Sequence, residues 1–272
     1  MAFCFIGSYP LHCFTNKAVD FNDVDVLTDD ITAAKQYIAK EYQFDPSIKF
    51  DYHLAKDEML EFLRKTPTFP TLNSLLTLKL SHLQWDVLWK KHAEQAVLLM
   101  SSYGCTPDIS LFHSFSRYWK KHHGDNKKHI TLNKENSEFF DNGVTYKFVH
   151  DDLHEAVKHK KHPMYWYIKE DKNSAKTSDS LLDKLSPQDK ILLCREEMYV
   201  VALERFIIPS NFTCDPVVAY RRALHKLCTS MTKGLFCQTI LFNLHHLWNP
   251  DLDFIYKFNR AYFNNQLTLA QG

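Results

Sequence analysis

The sequence contains little glycine and lacks the glycine-rich motifs that hold phosphate in the commonest nucleotide-binding folds. Only 6 of its 272 residues are glycine. Neither G-x-G-x-x-G nor G-x-x-x-x-G-K-[ST] occurs, which argues against a Rossmann dinucleotide site and against a Walker-type P-loop. A bound phosphate group would therefore have to be held in another way.

Long apolar runs, paired cysteine motifs and an excess of one charge are also missing. Without a run of about 18 apolar residues, a basic leader or a small-residue cleavage site, we expect a cytoplasmic protein that does not enter a membrane. The seven cysteines form no C-x-x-C pair, which predicts reduced and mostly buried thiols. Lysine plus arginine (33) nearly balance aspartate plus glutamate (32), so no global field attracts a polyanion.

The residues that are present indicate a folded chain with a change of pattern along its length. Hydrophobic residues make up 45% of the sequence and charged residues 24%, as in ordinary globular domains. Up to residue 66, strand and helix patterns alternate; beyond it the apolar residues recur with the helical period. We predict an α/β (α+β) fold, with a small mixed-sheet core at residues 1–66 and a larger, mostly α-helical domain at residues 67–272.

The individual segments follow from the same periodicities. Strands are predicted at 2–6, 23–27 and 48–54, and a helix is predicted at 31–40 after the capping residue Asp30. Polar stretches predict loops at 120–129 and 158–177, and helical patterns cover 71–87, 93–100, 187–208 and 216–247.

Three acidic residues lie on the predicted strands. Asp23 and Asp25 are two positions apart, so they share one face of a strand, and Asp51 lies on the next strand. Carboxylates and substrate phosphates are the oxygen ligands that Mg²⁺ prefers. Asp51 could bind a second metal ion or take the proton from an attacking hydroxyl. Gly7 would let a triphosphate approach the backbone, and Ser8 would offer a hydroxyl and an amide to it.

The order of these residues resembles a known pattern. Ile6-Gly7-Ser8 is followed by Asp23-Val24-Asp25-Val26 and then by Phe50-Asp51-Tyr52. This order resembles that of the DNA polymerase β-like nucleotidyltransferase superfamily, and the similarity continues into the first long helix, where Lys79 is a further candidate contact to the nucleotide. The resemblance implies that Asp23 and Asp25 bind Mg²⁺, that Asp51 is the base or third metal ligand, and that Gly7 and Ser8 hold the triphosphate. The implied reaction transfers a nucleoside monophosphate to a hydroxyl acceptor, which could be a nucleic acid or a small molecule, and releases pyrophosphate.

A later helical pattern carries a candidate phosphate contact. Arg205 ends the segment 195–205, and an arginine suits bidentate phosphate binding; the alternative is a solvated helix face with local ion pairs. Together with residues 150–155, this segment is similar to that of uncharacterised phage proteins labelled nucleotidyltransferases. That similarity implies a phage protein acting in the cytoplasm of its host.

A histidine and acid cluster offers a second interpretation. In His150-Asp151-Asp152-Leu153-His154-Glu155 a helix would place His150 and His154 on one face. Imidazoles and carboxylates together suit Mn²⁺, Co²⁺ or Zn²⁺, and the other candidate ligands are His82, His92 and Asp86. Because His150-Asp151 resembles the HD-type phosphohydrolases, the alternative function is a metal-dependent phosphohydrolase of the 5'-nucleotidase type acting on nucleoside monophosphates. Satisfied or surface histidines are the alternative to any metal site here.

Two basic runs complete the candidates. Lysines and histidines at 120–123 and 158–162 lie near Trp119 and the aromatic residues 165–167, as on a nucleic-acid surface; solvated loops are the alternative. Should the acids of the strands only line a solvated edge, the third interpretation is a catalytically inactive viral module that binds a nucleotide or a protein.

Overall fold

The computed structural model describes residues 1–83, 89–123, 185–202, 206–207, 210, 213–230 and 235–251. The chain divides into two compact units, Met1–Asn126 and Lys127–Gly272. The elements of the first unit are β1 (Phe3–Ile6), α1 (Tyr9–Phe14), β2 (Asp23–Thr28), α2 (Ile31–Glu41), β3 (Lys49–Leu54), α3 (Asp57–Lys65), α4 (Leu72–His82), α5 (Trp89–Ser102) and α6 (Ile109–His123).

The strands of the first unit form a mixed sheet. The order is β1-β2-β3, with β1 antiparallel and β3 parallel to the central strand β2. A parallel neighbour requires a crossover connection, and α2 provides it between β2 and β3. The predicted mixture of a small sheet and many helices is therefore confirmed.

Local signals in the sequence explain where the helices begin. The side chain of Asp30 accepts a hydrogen bond from the backbone N–H of Ala33 at 3.0 Å and caps α2, as predicted. Thr71 caps α4 by accepting from the N–H of Ser74 at 3.2 Å. Pro10 lies in the first turn of α1, where a missing N–H costs nothing.

The two faces of the sheet have different coverings. On one face Phe5, Val24 and Val26 pack with Ile38 of α2 and with a group of aromatic rings. That group comprises Phe3, Tyr9, Phe21, Tyr42, Phe44, Phe50, Tyr52 and Phe69.

The other face forms a core with three helices. Cys4, Ile6 and Leu27 pack there against side chains from α3, against Leu78 of α4 and against Phe115 of α6. The first compact unit therefore extends beyond residue 66, where the predicted core ends, because α4 and α6 help to cover the sheet.

The basic run at 120–123 is helical, so the loop predicted there is wrong. It forms the last turn of α6. Phe112 and Phe115 recur at helical spacing and are buried, so they anchor the first half of α6 while its last turn extends into solvent. The rest of that predicted loop, and the one at 158–177, lie outside the described residues.

The second unit contains the helices α7 (Pro187–Ala202), α8 (Pro216–Ser230), α9 (Leu235–Phe242) and α10 (Leu244–Leu247) in its described part. Met198, Val201 and Ala202 of α7 are buried, as the helical spacing predicts. The Tyr220 hydroxyl of α8 donates to the carbonyl oxygen of Leu247 at 2.6 Å. This bond ties α8 to the end of α10.

Two expectations about the whole chain can be compared with the structure. All seven cysteines are free thiols, and the five buried ones are Cys4, Cys105, Cys194, Cys228 and Cys237, which confirms the prediction of mostly buried thiols. Within the described ranges, no helix has both the length and the apolar character that crossing a membrane requires.

Candidate active site

The three acidic residues of the predicted site lie on neighbouring strands. Asp25 of β2 is in register with Ile6 of β1 on one side and with Asp51 of β3 on the other, and Asp23 is in register with Lys49. Because residues in register point to the same side of a sheet and alternate residues share a face, the three carboxylates lie on one face. Asp23 and Asp25 are partly buried, whereas Asp51 is exposed.

Gly7 is in direct contact with the carboxylate of Asp25. Its φ is +76°, in the left-handed region that favours glycine, and a Cβ atom there would lie 2.9 Å from Cγ of Asp25 and would collide with Oδ2. The sequence suggested that Gly7 lets a phosphate approach the backbone. In the structure, the carboxylate of Asp25 occupies the space where a side chain at position 7 would lie.

His53 joins the acidic residues from the end of β3. Its Nε2 donates to Oδ1 of Asp25 over 3.1 Å, and half of its side chain (51%) is exposed. The bond with Asp25 is the main cause that raises the pKa of His53; the charges of Asp25, Asp51 and Asp23 also raise it, and desolvation opposes them. His53 has no predicted role from the sequence, although it lies two positions after Asp51 and therefore on the same face.

Ser8 is held from a distant helix. It is only 3% exposed, and although it stands at the capping position of α1, its hydroxyl does not cap that helix. Instead its Oγ accepts a hydrogen bond from Nε2 of Gln95 in α5 at 3.1 Å. The two residues are 87 positions apart, and no sequence pattern indicated this contact.

The remaining candidate contacts to the nucleotide are only partly described. Lys79 lies in α4 and is 4% exposed, and Arg205 lies outside the described residues. Their roles stay predictions.

The alternative metal site is also only partly described. The rings of His82 and His92 are 4.9 Å apart and edge to face, so the structure brings these two candidates together. Asp86, His150, Asp151 and His154 lie outside the described residues. The phosphohydrolase site therefore stays a prediction.

The donor atoms of the acidic residues suit a hard cation. Asp23, Asp25 and Asp51 offer only carboxylate oxygens, the ligand type that Mg²⁺ prefers over nitrogen or sulfur, and His53 adds one nitrogen beside Asp25. Among the described residues no three acids, histidines or cysteines form a ready-made metal-binding group. By the type of their donor atoms, though not by their arrangement in the structure, the three carboxylates fit Mg²⁺.

The basic end of α6 is paired with acids of α3. Nζ of Lys121 lies 2.8 Å and Nε2 of His122 2.7 Å from Oδ2 of Asp57, and Nε of Arg117 lies 3.6 Å from Oε1 of Glu58. Lys121 and His122 of the predicted nucleic-acid surface are therefore engaged within the protein. Contact of this surface with nucleic acid stays a prediction.

Comparison with protein families finds a match over much of the chain. Residues 74–262 match the model of a family described as a domain of unknown function (DUF7275). The chain belongs to the DUF7275 family. The DUF7275 match begins within α4, so the sheet and all three carboxylates lie outside it. The chain matches no curated protein and no solved structure.

Proposed function

We propose that this protein is a Mg²⁺-dependent nucleotidyltransferase that transfers a nucleoside monophosphate from a nucleoside triphosphate to a hydroxyl acceptor. The observation that carries the proposal is the register of the sheet, which sets Asp25 beside Asp51 and leaves Asp23 on the same face. Through the contact between Gly7 and Asp25, the turn after β1 lies beside the same carboxylates. The resemblance of this residue order to the polymerase β-like superfamily supports the same function.

The roles of the side chains follow from their positions. Asp23 and Asp25 would hold Mg²⁺, which when bound neutralises the charge of the triphosphate and of the leaving pyrophosphate. The acceptor hydroxyl oxygen forms a bond to the α-phosphorus, the bond from that phosphorus to the bridging oxygen of the β-phosphate breaks, and pyrophosphate leaves. Asp51 takes the proton of the hydroxyl. Its exposed position on β3 leaves it accessible to an acceptor from solvent.

The test is the release of pyrophosphate from each of the four ribonucleoside triphosphates with Mg²⁺, in the presence of RNA, DNA or small hydroxyl compounds as acceptors. Asp25→Asn keeps the shape of the side chain but removes its charge. Loss of a residue that only supports a metal ligand costs roughly 10–100-fold in activity. Asp25 is proposed to bind the metal directly, so we expect Asp25→Asn to reduce turnover by more than this, without unfolding the protein.

A matched variant provides the control for this experiment. Asp20 is an exposed aspartate outside the strands, and Asp20→Asn should leave turnover unchanged. Full turnover in Asp25→Asn would remove Asp25 from the mechanism and the proposal with it.

The same screen separates the other two interpretations. Phosphate release from nucleoside monophosphates with Mn²⁺, Co²⁺ or Zn²⁺, lost in His150→Ala, would replace the transferase by the phosphohydrolase. Triphosphate binding without turnover on any acceptor would favour the inactive binding module.

A further inference from the structure

Gln95 forms a buried link between α5 and the turn beside Asp25. Its Nε2 donates to Oγ of Ser8 at 3.1 Å, and Gln95 and Ser8 are 8% and 3% exposed. A buried bond of this kind is shielded from competing water. It is therefore a specific contact between two segments that are far apart in the sequence.

The bond changes what the Ser8 hydroxyl can do. A serine at the start of a helix ordinarily accepts a hydrogen bond from a backbone N–H of the first turn, but Ser8 makes no such cap. Its Oγ accepts from Gln95, so its hydroxyl hydrogen is not used in that bond. The hydrogen is thus left for a group that approaches the turn.

Gln95 itself is incompletely satisfied. Its Oε1 is buried and has no hydrogen-bond partner in the part of the chain that the structure describes. An unpaired buried amide oxygen is costly, and such groups require an explanation in a native protein. A triphosphate oxygen that reaches the turn can accept the Ser8 hydrogen; because it has no hydrogen to donate, it does not pair with Oε1 of Gln95, which needs a donor such as a bound water.

The position of Ser8 also affects Asp25, through its neighbour Gly7. Ser8 follows Gly7 directly, and the Cα atom of Gly7 packs so closely on the carboxylate of Asp25 that no Cβ fits between them. A shift of the Gly7-Ser8 turn would therefore change the space available to the Asp25 carboxylate. Holding Ser8 in place fixes Gly7 and, through it, one side of Asp25.

We infer that Gln95 is a positioning residue, which turns the Ser8 hydroxyl toward the triphosphate of the nucleotide donor and holds the Gly7-Ser8 turn against Asp25. This inference rests on the proposed function. It assigns Gln95 to the binding of the donor and not to the acceptor.

The test is a double-mutant cycle with Ser8→Ala, Gln95→Met and the double variant. Methionine matches glutamine in length but cannot donate a hydrogen bond. Binding of ATP, GTP, CTP and UTP with Mg²⁺ is measured by calorimetry, and KM and kcat are measured by pyrophosphate release. The matched control is Gln36→Met, at an exposed glutamine of α2.

We expect each single variant to weaken triphosphate binding by about tenfold, as for the loss of a hydrogen bond to a charged group. The double variant should be no weaker than the worse single variant, because both changes break one arrangement. KM for the triphosphate should rise, and kcat should fall by less than in Asp25→Asn, because the turn is loosened on one side of Asp25 while the carboxylate itself remains. A role in folding alone would lower the melting temperature and leave KM unchanged.

Two outcomes would overturn the inference while the proposed function stands. One is a Gln95→Met variant that binds triphosphates as the wild type does, and the other is a cycle in which the two single effects multiply. Should Gln95→Met not fold, Gln95→Glu replaces it, since a carboxylate cannot donate and would take the Ser8 hydrogen; unchanged binding by that variant would again overturn the inference. A wild-type protein that neither binds triphosphates nor releases pyrophosphate would refute the proposed function, and this inference with it.

Discussion

At the scale of single residues, Gly7 is the position where backbone and site constrain each other most directly. Its positive φ and its contact with Asp25 are two separate reasons for glycine. Gly104 has a positive φ of +61° as well, but no atom lies within 4 Å of the position of its missing Cβ. The two glycines therefore allow the two reasons to be separated by experiment.

We predict that Gly7→Ala destabilises the protein more than Gly104→Ala. Each alanine costs about 1–2 kcal/mol for the left-handed backbone conformation, and only Gly7→Ala adds a collision with the Asp25 carboxylate. The free energy of unfolding in urea measures the difference between the variants. Equal losses in the two variants would show that the turn can move away from Asp25 without cost.

The sequence predicted the acidic residues better than it predicted their supports. The two-residue alternation of a strand is a local rule, and it sufficed to place Asp23 and Asp25 on one face; the same rule would have found His53 from Asp51. The contact of Gln95 with Ser8 depends on how α5 packs near α1. No local rule determines such packing, because it is set by the tertiary structure.

At the scale of elements, the junction of α3 with α6 combines an ion pair and a helix start. Asp57 begins α3 and contacts Lys121 and His122 at the end of α6. The hydrogen bonds from Lys121 and from His122 lower the pKa of Asp57 below its ordinary value. Among the described residues, Arg117, Glu58, Glu61 and Tyr118 are further titratable groups near this junction.

This lowered pKa predicts a pH-dependent effect of Asp57→Asn. A carboxylate whose folded pKa is depressed stabilises the protein above its unfolded pKa, near 3.9, and the stabilisation is lost as the pH falls through the folded value. Asp57→Asn should therefore melt below the wild type at pH 7, and the difference should begin to shrink as the pH falls below about 4 and disappear once the pH is below the lowered folded pKa. Thermal melts from pH 7 to pH 2 measure this difference.

A second carboxylate of α3 supplies the control for the junction. Glu61 pairs with Lys65 within the same helix at 2.6 Å. Glu61→Gln should have a smaller effect, because its hydrogen-bonded partner Lys65 lies in the same helix, the charge of Arg117 in α6 is the smallest of the causes that act on its pKa, and exposed local pairs contribute little. A melting difference for Asp57→Asn that is the same at pH 7 and at low pH would contradict the role of the ion pair.

The helical basic run shows why an element boundary is hard to predict from composition. Lys120-Lys121-His122-His123 is polar, so it was predicted as a loop, yet it forms the end of a helix whose first half contains the buried residues Phe112 and Phe115. The polar end of an amphipathic helix has the same composition as a loop. Only its partner, Asp57 in another element, distinguishes the two.

At the scale of the whole molecule, the family match and the compact units divide the chain differently. The DUF7275 match starts at residue 74, inside α4, whereas the first unit runs from Met1 to Asn126. Leu78 and Phe115 lie within the match but pack against the sheet, which is outside it. A fragment limited to the match would expose these side chains.

We therefore predict that a fragment of residues 1–126 folds by itself and unfolds cooperatively on heating. A fragment of residues 74–262 should be less soluble and should have lost the packing of α4 and α6, because it lacks the apolar face of the sheet. Circular dichroism melts and gel filtration of the two fragments and of the full chain measure this. A well-folded 74–262 fragment beside an unfolded 1–126 fragment would contradict the division into units.

The core under the sheet cannot be completed during synthesis until α6 has been made. Cys4 and Ile6 of the first strand share that core with Phe115, and a ribosome adds about 5–20 residues per second, so roughly 5–20 s pass between them. Until Phe115 of α6 has been added, this face of the sheet lacks part of its core. For that interval the apolar side of the newly made strand is open to other chains, and a chaperone that binds the nascent chain would protect it until α6 has emerged.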